Sequence, residues 1–194
     1  MRALADGVFA IAMTFLALDV LEVVGEVRGD VPAVLRAATP PLASYGLGFL
    51  VLGLFWSGHR IALARLRRTD RRHIWLNVLF LAWVSLIPFP AALLASHYRE
   101  PAAVLVYGVA LTMTAGSLYA LGYYAAEGGR LTDGDLPSAA VRAFRRRIAR
   151  AIALYAVAVG TAYLAAPWAG IAVFVASHLY FAIRPVTEAE APDD

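Results

Sequence analysis

Six membrane-spanning helices account for nearly all of this chain, an expectation that rests on three observations. Hydrophobic residues make up 61% of the 194 positions and charged residues only 16%, with a mean hydropathy of +0.67. A soluble domain of that composition would be left with large exposed apolar patches. Apolar stretches recur at the length of about 20 residues that a bilayer core demands, at 4–24, 38–62, 73–97, 101–126, 143–166 and 168–184. Arginines gather in alternate loops. The reading is an all-α integral membrane protein, a single unit over 1–194 with no soluble domain.

The first span, Asp6-Gly-Val-Phe-Ala-Ile11-Ala-Met-Thr14-Phe15-Leu-Ala-Leu18-Asp19, is too long for a signal-peptide core and is interrupted by Asp6. Gly25 to Pro32, carrying Glu26, Arg28 and Asp30, ends it. The second span closes on Trp56 and His59. The third contains Pro88 and Pro90, and two prolines so close must kink or locally unwind a helix, since each removes an amide donor. A packing kink is the plain reading. Carbonyls freed for a cation would need polar neighbours that this segment lacks. His97-Tyr-Arg-Glu-Pro101 is a tight polar turn, Glu127 to Pro137 is rich in Gly and Asp, and Ala166-Pro167 closes the fifth span. The sixth is short enough to be tilted or partly interfacial. Trp56, Trp75, Tyr98, Tyr123, Tyr124, Trp168 and Tyr180 fall near span ends, as interfacial anchors do.

All 17 basic residues are arginine, and the formal charge is +3. Arg60, Arg65, Arg67, Arg68, Arg71 and Arg72 surround the loop between spans two and three, and Arg142, Arg145, Arg146, Arg147 and Arg150 enter span five. The opposite loops hold only Arg28, Arg36 and Arg99. The positive-inside rule puts both clusters, and both termini, in the cytoplasm of a cell whose plasma membrane the chain crosses. The clusters set topology and touch anionic head groups, rather than nucleic acid or a specific ligand.

At about 100° per residue, Phe15 lies ~40° and Leu18 ~20° to either side of Ile11, with Thr14 ~60° off on the flank. Ile11, Phe15 and Leu18 therefore form one narrow stripe, and Asp6 sits ~140° away on another face. A carboxyl group at membrane depth faces protein or an aqueous path and marks a site by default. Its polar company at the same depth is His59 and Asn77, with a His or Trp N–H and an amide as donors. A structural network fixing helix packing is the first reading of this group and proton sensing the second. Cysteine is absent, and neither His97 nor His178 has an Asp, Glu or His at metal-ligand spacing. No metal and no cofactor is expected.

Around these residues the chain resembles the bacterial branch of the transmembrane protein 175 family of potassium-permeable channels. Asp6 aligns with the aspartate of the family's R-x-x-x-F-S-D motif, and Gly-Val-Phe-Ala-Ile-Ala-Met-Thr follows. The likeness continues through Phe55-Trp56-Ser-Gly-His59-Arg60, Asp70-Arg-Arg, Trp75-Leu-Asn77 and Val84-Ser-Leu-Ile-Pro88-Phe-Pro90. Leu4-Ala5 replaces Phe-Ser, and the motif arginine would fall ahead of Met1. Either the start lies upstream or that end of the motif is lost. The resemblance implies six helices per subunit and a homotetramer, self-assembled in the bilayer, with span one lining a central pore for monovalent cations. It implies an apolar constriction at Ile11, then Phe15 and Leu18, and a part for Thr14 in potassium preference. The sequence agrees in having no T-V-G-Y-G-like carbonyl filter, and apolar rings gate by dewetting. The competing reading for Thr14 is a bond back to the carbonyl four residues earlier.

The expectation is thus a passive potassium-permeable channel. The alternative is a proton-coupled secondary transporter with Asp6, Asp19 and His59 as relay. An enzyme is disfavoured, there being no metal-ligand pair or nucleophile signature.

Overall fold

The computed structural model describes residues 1–64, 66–126, 131–132 and 138–184. Arg65, most of the Glu127–Pro137 loop and the side chain of Asp19, all named above, lie outside the described part. Eight helices are found among the described residues: α1 (Arg2–Phe15), α2 (Leu18–Glu26), α3 (Val31–Ala62), α4 (Arg71–Leu86), α5 (Pro88–Ser96), α6 (Pro101–Ala126), α7 (Ser138–Leu164) and α8 (Pro167–Ile183). They make six passes, because α1 with α2 and α4 with α5 each form one interrupted rod. Five passes are long and apolar enough to cross a bilayer; the sixth, α8, has only 17 residues.

Two helix boundaries differ from expectation, each for a local reason. The first pass is not one rod: α1 ends at Phe15, and a turn at Leu16-Ala17, with the Ala17 amide donating to Thr14 O at 3.0 Å, precedes α2. The second pass starts at Val31 instead of 38. Asp30 caps it by accepting from the Ala33 amide at 3.1 Å, and Pro32 occupies the first turn, where no amide donor is needed. α3 then runs on through Pro40 and Pro41. The third pass breaks at Ile87, as expected from the donors missing at Pro88 and Pro90.

α1 and α3 are antiparallel neighbours whose register is fixed by small and large residues meeting. Leu16, buried at the break, fits against Gly48, where a Cβ would come within 2.8 Å of its Cδ1. α7 packs most extensively against α6 and α8. There Gly170 brings α8 so close that a Cβ would stand 2.5 Å from the Ala158 carbonyl. Leu52, Phe80, Val84, Leu111 and Phe174 are fully enclosed at the centre. At the arginine-rich end the loop after α3 is tied to the segment after α6, through the Leu66–Thr132 bridge and the Arg67 amide donating to Leu131 O at 2.9 Å.

Candidate functional site

α1 presents two faces of different fate. Ala5, Phe9, Ala12 and Leu16, spaced three and four apart, are buried in the protomer, Phe9 to 2% exposure. The opposite side stays bare: Ile11 is 57% exposed, Phe15 52% and Leu18 50%, and Leu4 continues the same line. Leu18 belongs to α2, so the stripe that a single wheel drew along one rod spans the Leu16-Ala17 turn. Thr14 is exposed beside the stripe and donates its hydroxyl to Ala10 O at 2.7 Å. That bond uses the hydrogen only. The oxygen's lone pairs are left for another partner, and the bond fixes where they point.

The expected cluster of Asp6, His59 and Asn77 divides into two pairs. Asp6, exposed on the protomer, accepts from the Trp56 indole N–H at 2.8 Å. His59 and Asn77, both buried, bond each other, Nε2 to Oδ1 at 2.7 Å. The reason is register. Trp56 and His59 are three apart on α3, so both point towards α1 and α4, but the longer indole reaches the outer edge where Asp6 stands. The smaller imidazole stays inside, stacked on Phe80 at 5.1 Å with Phe9 tilted against it. Arg60 lies 5.0 Å over the Trp56 ring and completes the outer pair. Trp56 is therefore the partner of Asp6 and more than an interfacial anchor.

Sequence reasoning missed Arg2. It donates to Leu63 O at 2.7 Å and Ala64 O at 3.2 Å, pinning the start of α1 to the carbonyls that end α3. The signal was available, since Arg2 and Asp6 are one helical turn apart and share a face. Asp70, the N-cap of α4, was quoted in the family likeness without a role. It accepts from the His73 amide at 2.8 Å and from the Tyr124 hydroxyl at 2.5 Å, which holds α6 to the start of α4. Those two donors, Tyr124 foremost, keep its carboxyl below the usual carboxylate range.

In the C-terminal half, His178 has its Nδ1 2.6 Å from Phe174 O and its Nε2 3.3 Å from the Tyr155 hydroxyl. The carbonyl can only accept, so Nδ1 carries the hydrogen and Nε2 accepts from Tyr155. Both groups are spent on each other. Arg147, assigned to a topological cluster from sequence, turns inward instead. It donates to the Phe181 and Arg184 carbonyls, which close α8 as cationic side chains near a helix C-terminus do.

Comparison with known proteins agrees with this arrangement. Residues 1–88 match the family described as the endosomal/lysosomal potassium channel TMEM175. A potassium channel of Streptomyces collinus is 34% identical over 203 residues, covering 98% of this chain and 96% of its own. The human endosomal/lysosomal proton channel TMEM175 is 32% identical over 108 residues, covering 52% of this chain and 21% of its own. A crystal structure of a lysosomal potassium-selective channel TMEM175 homologue from Chamaesiphon minutus superposes with a TM-score of 0.78 at 26% identity over 96% of both chains. With the fold, a 34% identical relative covered almost end to end and the family match over residues 1–88 all in agreement, the chain belongs to the TMEM175 potassium-channel family.

Proposed function

We propose that this chain is one subunit of a homotetrameric channel that lets potassium pass down its gradient, with four copies of α1 around the axis. The observation that carries this reading is the bare stripe of Ile11, Phe15 and Leu18. The opposite face of α1 is fully occupied by its own protomer, and a line of large apolar side chains left open on that helix suits a narrow shared path. Ile11 makes the tightest ring, Phe15 and Leu18 the next ones outward. Such rings conduct when wetted and close when dry. Thr14 places four hydroxyl oxygens beside the Ile11 ring, which replace part of the hydration of the larger, less tightly hydrated ion. The arginine-rich loops and both termini face the cytoplasm, and the plasma membrane is the site of action.

Flux from liposomes tests the reading. Purified protein is reconstituted with a potassium gradient, and a potential is imposed with and without a proton gradient. Potential-driven potassium flux that is indifferent to the proton gradient is the expected result. Saturating flux that requires a proton gradient would instead identify a carrier. The pairings of Asp6 with Trp56 and of His59 with Asn77 leave no continuous relay between Asp6 and His59 among the described residues, which favours the channel.

A further inference from the structure

Away from α1, a crevice of about 370 Å³ lies between α3, α6, α7 and α8, towards the arginine-rich end of the bundle. Its volume falls in the range of sites that hold small ligands. Its walls are largely apolar: Leu50, Leu54, Leu118, Ile148 and Ala151 face it, Gly53 opens one side, and Ser57 adds one hydroxyl. Tyr155 and His178 also line it, but their polar atoms are consumed by each other and by Phe174 O. One charged residue remains on the wall, Arg147. Its described hydrogen bonds go to two main-chain carbonyls, and an arginine has five N–H groups to give. It is half-buried, beside the Phe181 ring at 5.0 Å, at the level where α7 and α8 leave the apolar layer.

An apolar crevice beneath one cation at this depth matches an amphiphile with a negative head and a hydrocarbon tail. We infer that this cavity is a binding site for an anionic phospholipid, whose phosphate sits on Arg147 while one acyl chain enters between α3 and α7. Charge complementarity selects the lipid class, because basic pockets between helices favour anionic head groups. The two carbonyl bonds hold the guanidinium at the mouth and leave donors for the phosphate, a charge-assisted contact. The chain does not depend on Arg147 for topology, since Arg142, Arg145, Arg146 and Arg150 remain as the positive end of α7.

Native mass spectrometry of the delipidated full chain decides the matter, with dioleoylphosphatidylglycerol and dioleoylphosphatidylcholine as probes. The parent should retain phosphatidylglycerol and lose phosphatidylcholine. Arg147→Gln should retain about tenfold less phosphatidylglycerol, as fits loss of a hydrogen bond to a charged group. Arg147 also closes α8, so a second variant leaves it in place. A Cβ at Gly53 meets nothing within 4 Å, so the Gly53→Phe side chain starts into open space on the cavity wall and should lose the lipid to a similar degree at unchanged melting temperature. Equal retention of the two lipids by the parent, or undiminished phosphatidylglycerol in Gly53→Phe, would overturn the site. Inorganic phosphate displacing the lipid from the parent and binding equally in Gly53→Phe would make it a phosphate site without a tail. The chain has no cysteine, so Gly53→Cys supplies a unique thiol. Labelling by a membrane-soluble maleimide that phosphatidylglycerol slows supports the lipid, whereas a disulfide between subunits would show that a second copy fills the cavity.

Discussion

Ile11 is more than half exposed on its own protomer, and in the proposed assembly that bare side faces its copies. On the proposed axis Ile11→Asn wets the narrowest ring, so conductance rises and the preference for potassium over sodium falls. Unchanged single-channel currents and reversal potentials would place the constriction elsewhere. Thr14→Val keeps the shape and removes the oxygen, and bi-ionic reversal potentials in potassium and sodium should shift towards equality. The bond from Thr14 to Ala10 sharpens this test. If the hydroxyl served the helix alone, the ratio would stay where it was and only melting would change. Trp56→Phe breaks the outer tie, which costs about 1 kcal/mol for one hydrogen bond of an exposed pair, whereas Asp6→Asn keeps an accepting oxygen and removes only the charge. Trp56→Phe should lower the melting temperature of the assembled protein more than Asp6→Asn does, and both should leave ion preference intact. A well-assembled Asp6→Asn tetramer with altered selectivity would put that carboxyl group on the path. The bare stripe was legible because a 3.6-residue period is enough to draw it. The partner of Asp6 was not, because choosing between Trp56 and His59, three residues apart on one face, depends on side-chain reach across an interhelical gap.

Helix ends tell a similar story at the next level. Pro88 and Pro90 announced the break at Ile87, since a missing amide is a property of the residue itself. The turn at Leu16-Ala17 has no such mark in sequence; it depends on Leu16 fitting against Gly48, a contact made across 32 positions of chain. The early start of α3 could have been read from Asp30 and Pro32, an N-cap followed by a first-turn proline. At α4 the cap carries a pH dependence. Asp70 titrates below its ordinary value of about 3.9 in the folded protein. Its contribution is therefore present above about pH 4 and is lost as acid carries the pH down through the folded value. Tyr124→Phe removes the stronger donor, so its melting temperature should fall less steeply below about pH 4 than the parent's. Superimposable acid profiles would show that the tie between α4 and α6 does not matter for stability. Between α7 and α8 the deciding residue is Gly170. Gly170→Ala forces its new carbon onto the Ala158 carbonyl, and overpacking of this kind costs roughly 1–3 kcal/mol. A melting temperature equal to the parent's would mean that α8 moves aside freely.

For the molecule as a whole, the first pass is both the outermost in packing and the one that bears the proposed pore stripe. α6, α7 and α8 bury one another, whereas α1 and α2 rest mainly on α3 and α4. Pairing between the loops at Leu66 and Thr132 joins the two halves at the arginine-rich end. That division follows from where apolar bulk lies in the sequence, and no motif records it. The interrupted first pass gives the arrangement a mechanical consequence. Ile11 and Phe15 ride on a segment clamped by Arg2, Asp6 and Phe9, and Leu18 rides on a separate segment hinged at the seat of Leu16. Around a common axis these would be two valves in series with independent mountings. One can hold its aperture while the other swings, so ion choice and opening need not be adjusted by the same movement.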